Sequence, residues 1–278
     1  MRCAVLGSPI KHSLSPALHR AAYAELGLSW SYEAIEVADG GLAGFLEGLG
    51  PGWRGLSLTM PLKREAMAIA DSLDPWARLS GVANTLLLGD SRRLAFNTDI
   101  PGAKAALAER GVDQVRSAVV LGAGATAASV LLAVADLGCR RATLVVRDPS
   151  RAGETLNAVR NHPRAPEVAV TTFAQAPRGH TDLLVSTIPA AAQTEDVLAL
   201  TLGAPNVFEV VYDPWPTPLA QSVQETGRTL VNGLDLLAHQ AVLQIQLMTG
   251  QDVPVDLARR AGLAELDRRA GDNAHADL

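Results

Sequence analysis

Residues 117–135 carry no charge, a length close to the roughly 20 apolar residues that cross a bilayer. Inside that stretch, a short β-rich run at 118–121 enters Gly122-Ala123-Gly124-Ala125-Thr126-Ala127 and only then becomes alanine-rich. Two glycines at a strand-to-helix handover suit a tight turn and interrupt a membrane helix, so the stretch predicts strand, turn, helix. Gly122, Gly124 and Ala127 also satisfy G-x-G-x-x-[G/A]. Glycines there let the backbone approach a pyrophosphate, which the helix N-terminus attracts through its N–H groups and dipole. An ordinary βα turn is the alternative, because a glycine pattern is a weak signal in a chain with 24 glycines.

The same alternation runs along the whole chain. Strands are expected at 2–6, 31–37, 55–58, 84–88 and 93–96, then at 118–121, 142–147, 167–171, 182–186, 207–211 and 229–231, with helices between most of them. From 118 onward such a series implies βαβ units and a mostly parallel sheet. Ser15-Pro16 reads as a helix start, with Ser capping and Pro in the first turn. Pro61 is expected to end the third strand and open another helix. Gly89-Asp90-Ser91-Arg92 joins two strands as a β-hairpin. A linking helix is expected at 103–110, closing helices at 234–248 and 255–269, and a frayed polar tail beyond Ala270. Hydrophobic residues make up 48% of the chain but aromatics only 4%. The core is therefore built from Ala, Val and Leu, which suits helices covering a parallel sheet.

Charge and cysteine usage exclude several classes. A net charge of −5 without a basic run argues against nucleic acid, which needs a cationic face. Cys3 and Cys139 fit neither a metal spacing nor a disulfide framework, and six histidines show no H-x-x-x-H spacing or carboxylate cluster, so no metal is expected. Ser8, Pro9 and His12 interrupt the first apolar run where a signal peptide would continue. The reading is a soluble, cytoplasmic protein with no membrane partner and two reduced thiols.

The end of the strand after the glycine loop carries Arg147 and, shortly after it, Arg151. Guanidinium groups at that place suit the 2′-phosphate of NADP, whereas a carboxylate suits the ribose of NAD. Asp148 precedes Pro149 and reads as an N-cap, so NADP is favoured over NAD. In the first block, Ser13 and Ser15 could cup a carboxylate or simply shape a loop and helix cap. Thr59 and Lys63 bracket Pro61, and Asn84, Asn97, Thr98 and Asp99 sit at the ends of the hairpin. A lysine is usually solvated; to move a proton it needs a lowered pKa or a partner that holds it. Asp99 is the candidate partner.

Read together, these segments resemble the shikimate dehydrogenase family over nearly the whole chain. The segments are Gly7-Ser8-Pro9-Ile10-Lys11-His12-Ser13-Leu14-Ser15-Pro16, Leu58-Thr59-Met60-Pro61-Leu62-Lys63, Gly81-Val82-Ala83-Asn84-Thr85-Leu86 and Asn97-Thr98-Asp99. Further along come Ser186-Thr187-Ile188-Pro189, Tyr212-Asp213-Pro214-Trp215-Pro216-Thr217-Pro218-Leu219, and Asn232-Gly233-Leu234 with His239-Gln240-Ala241. The resemblance implies an N-terminal α/β substrate-binding domain at 1–100, completed by helices at 235–278 that pack back on it, and a Rossmann-type dinucleotide-binding domain at 101–234. It implies NADP-dependent reduction of 3-dehydroshikimate to shikimate, on the route to chorismate and the aromatic amino acids, by a monomer or homodimer. Ser13 and Ser15, with Tyr212 nearby, would hold the substrate carboxylate. Thr59, Asn84 and Gln240 would contact the ring oxygens together with the catalytic pair Lys63 and Asp99. Gly122, Ala123, Gly124, Ala125, Thr126, Arg147, Arg151, Thr187 and Gly233 would lie along the cofactor. Ser57 stands where many members have Asn, which makes it the position expected to bear on substrate selectivity. Val146-Arg147-Asp148 replaces the common N-R-T.

Lys63 is expected to be the acid in reduction and the base in the reverse direction, with Asp99 orienting it. Three alternatives remain. An enzyme of this fold could use quinate or an aminated shikimate with NAD. A non-catalytic sensor of dinucleotide and small acid would be expected to lack Lys63 and Asp99. A general Rossmann dehydrogenase leaves the whole first block without a purpose.

Overall fold

The first strand, β1 (Arg2–Gly7), lies one in from the edge of its sheet and is buried from Cys3 to Gly7, because its apolar run is covered on both faces. In this computed structural model, which describes residues 1–89 and 92–276, the chain divides into two units. One comprises Met1–Thr98 and the chain from Leu237 onward; the other is Asp99–Leu236. After β1 the first unit continues through α1 (Ser15–Glu25), β2 (Ser31–Glu36), α2 (Leu42–Glu47), β3 (Trp53–Leu58), α3 (Glu65–Ile69), β4 (Ser72–Leu73), α4 (Pro75–Ser80), β5 (Thr85–Gly89) and β6 (Arg92–Phe96). Its six strands lie in the order β2-β1-β3-β5-β6-β4. β1 pairs in parallel with β2 and β3, while β3, β5 and β6 are antiparallel. The sheet is thus mixed, and the expected hairpin of β5 and β6 supplies antiparallel pairs. Asp90 and Ser91 of the expected turn lie outside the described residues.

The second unit opens with α5 (Asp99–Glu109) and runs through β7 (Ser117–Leu121), α6 (Ala125–Asp136), β8 (Arg141–Val146), α7 (Gly153–Arg160), β9 (Glu167–Thr172), β10 (Leu183–Ser186), α8 (Glu195–Thr201), β11 (Asn206–Glu209), α9 (Pro218–Glu225) and β12 (Thr229–Asn232). All six strands are parallel, in the order β12-β11-β10-β7-β8-β9. Numbered from β7, this is the 3-2-1-4-5-6 order of dinucleotide-binding sheets, with its switch point beside β7. The nine residues from Ala127 to Ala135 of α6 are all buried, which explains why the stretch mimics a membrane span. Among the described residues no helix is long and apolar enough to cross a membrane.

Two helices close the chain: α10 (Gly233–Thr249), whose first turn belongs to the second unit, and α11 (Val255–Ala276). In the first unit, Leu6, Leu56, Leu58, Leu62 and Leu86 fill one side of the sheet. Cys3, Val5, Tyr23, Tyr32 and Met248 fill another cluster, and Ala22 of α1 packs with Ile245 of α10.

Several local expectations need correction. Ser15 is not a cap: α1 starts at Ser15 after Leu14, and the backbone N–H of Ser15 instead donates to Ser13 Oγ at 3.3 Å. Pro61 does not open a helix; Leu62 N–H donates to Thr59 O (2.8 Å) in a tight turn, and α3 starts only at Glu65. The linking helix begins at Asp99, not Ala103, so the aspartate sits in its first turn. The last helix extends past the expected end at Arg269, to Ala276, and Arg268 pairs with Glu265 and Asp272 one turn either side. Asp148 does cap, over a short 3₁₀ turn at Pro149–Ala152.

Candidate active site

In the first unit, the site residues are gathered by two close approaches. At Gly7, a Cβ would collide with the Thr59 methyl and stand 2.7 Å from Met60 O, so only glycine lets the segments after β1 and β3 meet. The Ser8 N–H then donates to Met60 O (2.9 Å). Behind the half-buried Ser13, Arg269 of α11 donates to the carbonyls of His12 (2.9 Å) and Ser13 (3.0 Å). Glu265 accepts from Arg269 Nε at 2.8 Å, and its hydrogen bonds to Arg268 and Arg269 pull its carboxyl down to about 2.

Lys63 is half-buried, and its carbonyl accepts from Ala83 N–H at 2.8 Å, which ties the lysine to the start of the hairpin. Next to Ala83, Asn84 is 2% exposed. Its Nδ2 donates to Thr98 Oγ1 (2.8 Å) and to Gln240 Oε1 (3.2 Å). Its Oδ1 accepts from Thr98 N–H (2.9 Å) and from Thr85 Oγ1 (3.0 Å). Gln240 of α10 also donates to Leu237 O (3.0 Å). Thus Asn84, Thr98 and Gln240, distant in sequence, form one cluster, with Lys63 attached through the backbone. Asp99, directly after Thr98, is buried in the first turn of α5.

Ser57 does not present a free hydroxyl. It is 4% exposed, accepts from Tyr32 Oη (2.6 Å) and donates to Gln244 Oε1 (2.8 Å). Gln244 Oε1 also faces His19 Nε2 at 3.3 Å. His19 is fully buried and stacked on Tyr32 at 4.0 Å, and burial drives its pKa from 6.5 down to about 3, so the ring is neutral.

In the second unit, Gly122 follows β7 with φ +103°, and a Cβ there would collide with Thr187 Oγ1. Both features demand glycine. Thr187 Oγ1 donates to Leu121 O (2.8 Å) and Thr155 Oγ1 to Ala123 O (2.8 Å), so the loop is held from both sides. Gly124 precedes α6, and Ala125 and Thr126 are its first residues; the N–H groups of such a first turn have no carbonyl within the helix. Arg147 and Arg151 are exposed after β8. Asp148 accepts from Ser150 N–H (3.0 Å) and Oγ (2.7 Å), bonds that lower its pKa. A glycine approach, a helix N-terminus and two guanidinium side chains fit an anionic dinucleotide with an extra phosphate.

Half-buried Tyr212 lies in the segment after β11. That segment is anchored by Glu209, fully buried, whose carboxylate accepts from Gln193 Nε2 (2.6 Å), Thr217 Oγ1 (3.2 Å) and Val211 N–H (3.0 Å). Burial pushes its pKa up to about 7 against those three donors. Gly233 is required as well, since its Cβ would collide with Val210 O.

Sequence reasoning missed Tyr32, Thr85, Thr155, Gln244 and Arg269. The spacing of Gln240 and Gln244, one turn apart on one helix, was the available signal for Gln244. Thr155 and Arg269 had none, because their partners are backbone carbonyls.

Comparison with known proteins adds two matched family models: the shikimate dehydrogenase substrate binding domain over residues 5–86, and the Shikimate 5'-dehydrogenase C-terminal domain over residues 233–261. A curated relative from Symbiobacterium thermophilum, Shikimate dehydrogenase (NADP(+)), is 35% identical over 95% of this chain and 94% of its own. The crystal structure of Mycobacterium tuberculosis shikimate dehydrogenase superposes with a TM-score of 0.85 at 36% identity, covering 95% of this chain and 99% of that one. The Thermus thermophilus enzyme, solved with NADP(H) and shikimate, gives a TM-score of 0.79 at 31% identity, covering 95% and 99%.

Proposed function

The chain belongs to the shikimate dehydrogenase family, and from that premise we propose that it catalyses the reversible, NADP-dependent reduction of 3-dehydroshikimate to shikimate, a step toward chorismate and the aromatic amino acids. The observation that carries the reading is the buried cluster of Asn84, Thr98 and Gln240, with Lys63 joined to it through Ala83. Polar side chains buried to this depth and held in one arrangement suit a small, hydroxyl-rich ring.

NADP would be held by the loop Gly122, Ala123, Gly124, Ala125 and Thr126, with Thr187 and Gly233 nearby and Arg147 and Arg151 on the 2′-phosphate; when bound, it supplies the hydride for the ring carbonyl. The protein's own part is the proton. Lys63 gives it to the carbonyl oxygen in reduction and takes it back in oxidation, while Asp99 orients the ammonium. Ser13 and Ser15, with Tyr212, bind the carboxylate, and Thr59, Asn84 and Gln240 fix the ring oxygens so that one carbon faces the hydride. Catalysis takes place in the cytoplasm, in keeping with two free, buried thiols at Cys3 and Cys139.

The direct test follows absorbance of the reduced cofactor with shikimate and with quinate, each with NADP and NAD. The expected result is turnover with shikimate and NADP well above the other three pairs. Activity confined to quinate and NAD would overturn both assignments.

A further inference from the structure

The substrate residues named so far account for only part of the buried polarity in the first unit. A second set of side chains, none of them a substrate ligand, runs without interruption behind them. Tyr32 Oη donates to Ser57 Oγ, Ser57 Oγ donates to Gln244 Oε1, and Gln244 Nε2 donates to Thr85 Oγ1 (2.9 Å) and to Asn84 O (3.0 Å). Thr85 Oγ1 then donates to Asn84 Oδ1 at 3.0 Å. Ser57, Tyr32, Thr85 and Gln244 are each at most 4% exposed, so water does not supply alternative partners.

Each link fixes the direction of the next. The Asn84 carbonyl can only accept, so Gln244 must turn its NH₂ toward it and its Oε1 toward Ser57. Tyr32 fills a lone pair of Ser57, which leaves the Ser57 hydrogen for Gln244. Gln244 fills a lone pair of Thr85, which leaves the Thr85 hydrogen for Asn84 Oδ1. An asparagine amide is nearly symmetric in shape, and only its neighbours decide which end is oxygen. With Thr98 N–H on the same side, Oδ1 is turned into the protein and Nδ2 toward Thr98 and Gln240, the side from which it would donate to a ring oxygen.

We propose that Gln244 and Thr85 are positioning residues that set the amide orientation of Asn84, and that Ser57 belongs to this relay instead of touching the substrate. The inference rests on the functional reading above. It also accounts for Ser57 in the segment before Thr59: the short side chain reaches Gln244 and closes the row.

The test compares Thr85→Val, Thr85→Ser and Gln244→Met in the full chain by steady-state kinetics, with circular dichroism for the fold. Thr85→Val keeps the shape and removes the donor, so KM for shikimate should rise about tenfold while KM for NADP stays put. Thr85→Ser restores the hydroxyl and should restore KM. Combining Thr85→Val with Gln244→Met should cost no more than Gln244→Met alone, because both break one row. Folded variants that keep the wild-type KM, a Thr85→Ser variant no better than Thr85→Val, or additive losses would overturn the positioning role. A wild-type protein inactive with shikimate would overturn the functional reading itself, a result separable from an active wild type with indifferent variants.

Discussion

In the first unit a row of buried hydroxyls and amides runs from Tyr32 to Asn84. The second unit buries ionisable groups at several separate positions, Asp99, His162, Glu209 and Asp235, and its strands include apolar runs such as Leu183–Ser186, buried at every position. The contrast follows from what each unit has to recognise. A dinucleotide's phosphates are bound by backbone N–H groups, so glycines and a helix end suffice. A small ring with several hydroxyls is read by side chains, whose orientation has to be enforced from behind.

The largest expected effect separates chemistry in the first unit from cofactor binding in the second. Lys63→Ala should lower turnover by ~10²–10⁴ and leave the dissociation constant for NADP, measured by titrating cofactor into free enzyme, within a factor of two or so of wild type. Weakened NADP binding of the same size would dissolve the distinction. Next comes the converse. Gly122→Ala forces a side chain into a positive-φ position, at a cost of about 1–3 kcal/mol. NADP titration should show roughly tenfold or greater weakening, with hydrogen-exchange protection unchanged in the first unit.

Smaller effects come from pH, and the two units respond with opposite sign. His19 sits in the first unit with a folded pKa of about 3 against 6.5. The unfolded chain therefore takes up a proton first, and the stability His19 contributes above pH 6.5 is lost as pH falls toward 3. Glu209 in the second unit has a folded pKa of about 7 against 4.5. Its contribution is complete below pH 4.5 and is lost as pH rises toward 7. Hydrogen exchange resolved by peptide between pH 4.5 and 7 should show protection near α1 rising with pH and protection around β11 falling. His19→Phe, which keeps the stack on Tyr32, should flatten the first trend, and Glu209→Gln the second. Parallel trends in both units would show that neither buried group governs its own unit.

The second unit was the more legible in sequence. Strand, G-x-G-x-x-A and an alanine-rich helix each depend on local backbone geometry, and the alternation that follows dictates parallel strands. In the first unit the motif residues were visible, since Lys63, Asn84, Asp99 and Gln240 fall in recognisable segments. Their supports were not. Tyr32 lies on β2, Ser57 on β3, Thr85 on β5 and Gln244 on α10, and no local pattern tells that four elements bring them together. Ser57 shows the limit best: its position in the motif suggested a substrate contact, while sheet register and the reach of Gln244 commit it to the interior. Backbone-anchored residues such as Arg269 leave no trace in sequence, because a carbonyl partner can belong to any residue.

The account depends most on Lys63 and Asp99 acting in one proton-transfer step. Turnover with shikimate and NADP should be measured for Lys63→Ala, Asp99→Ala and the double variant, all at saturating cofactor. If the two act together, the double variant falls no further than the worse single variant. Losses that multiply, or a Lys63→Ala enzyme that turns over near the wild-type rate, would contradict it.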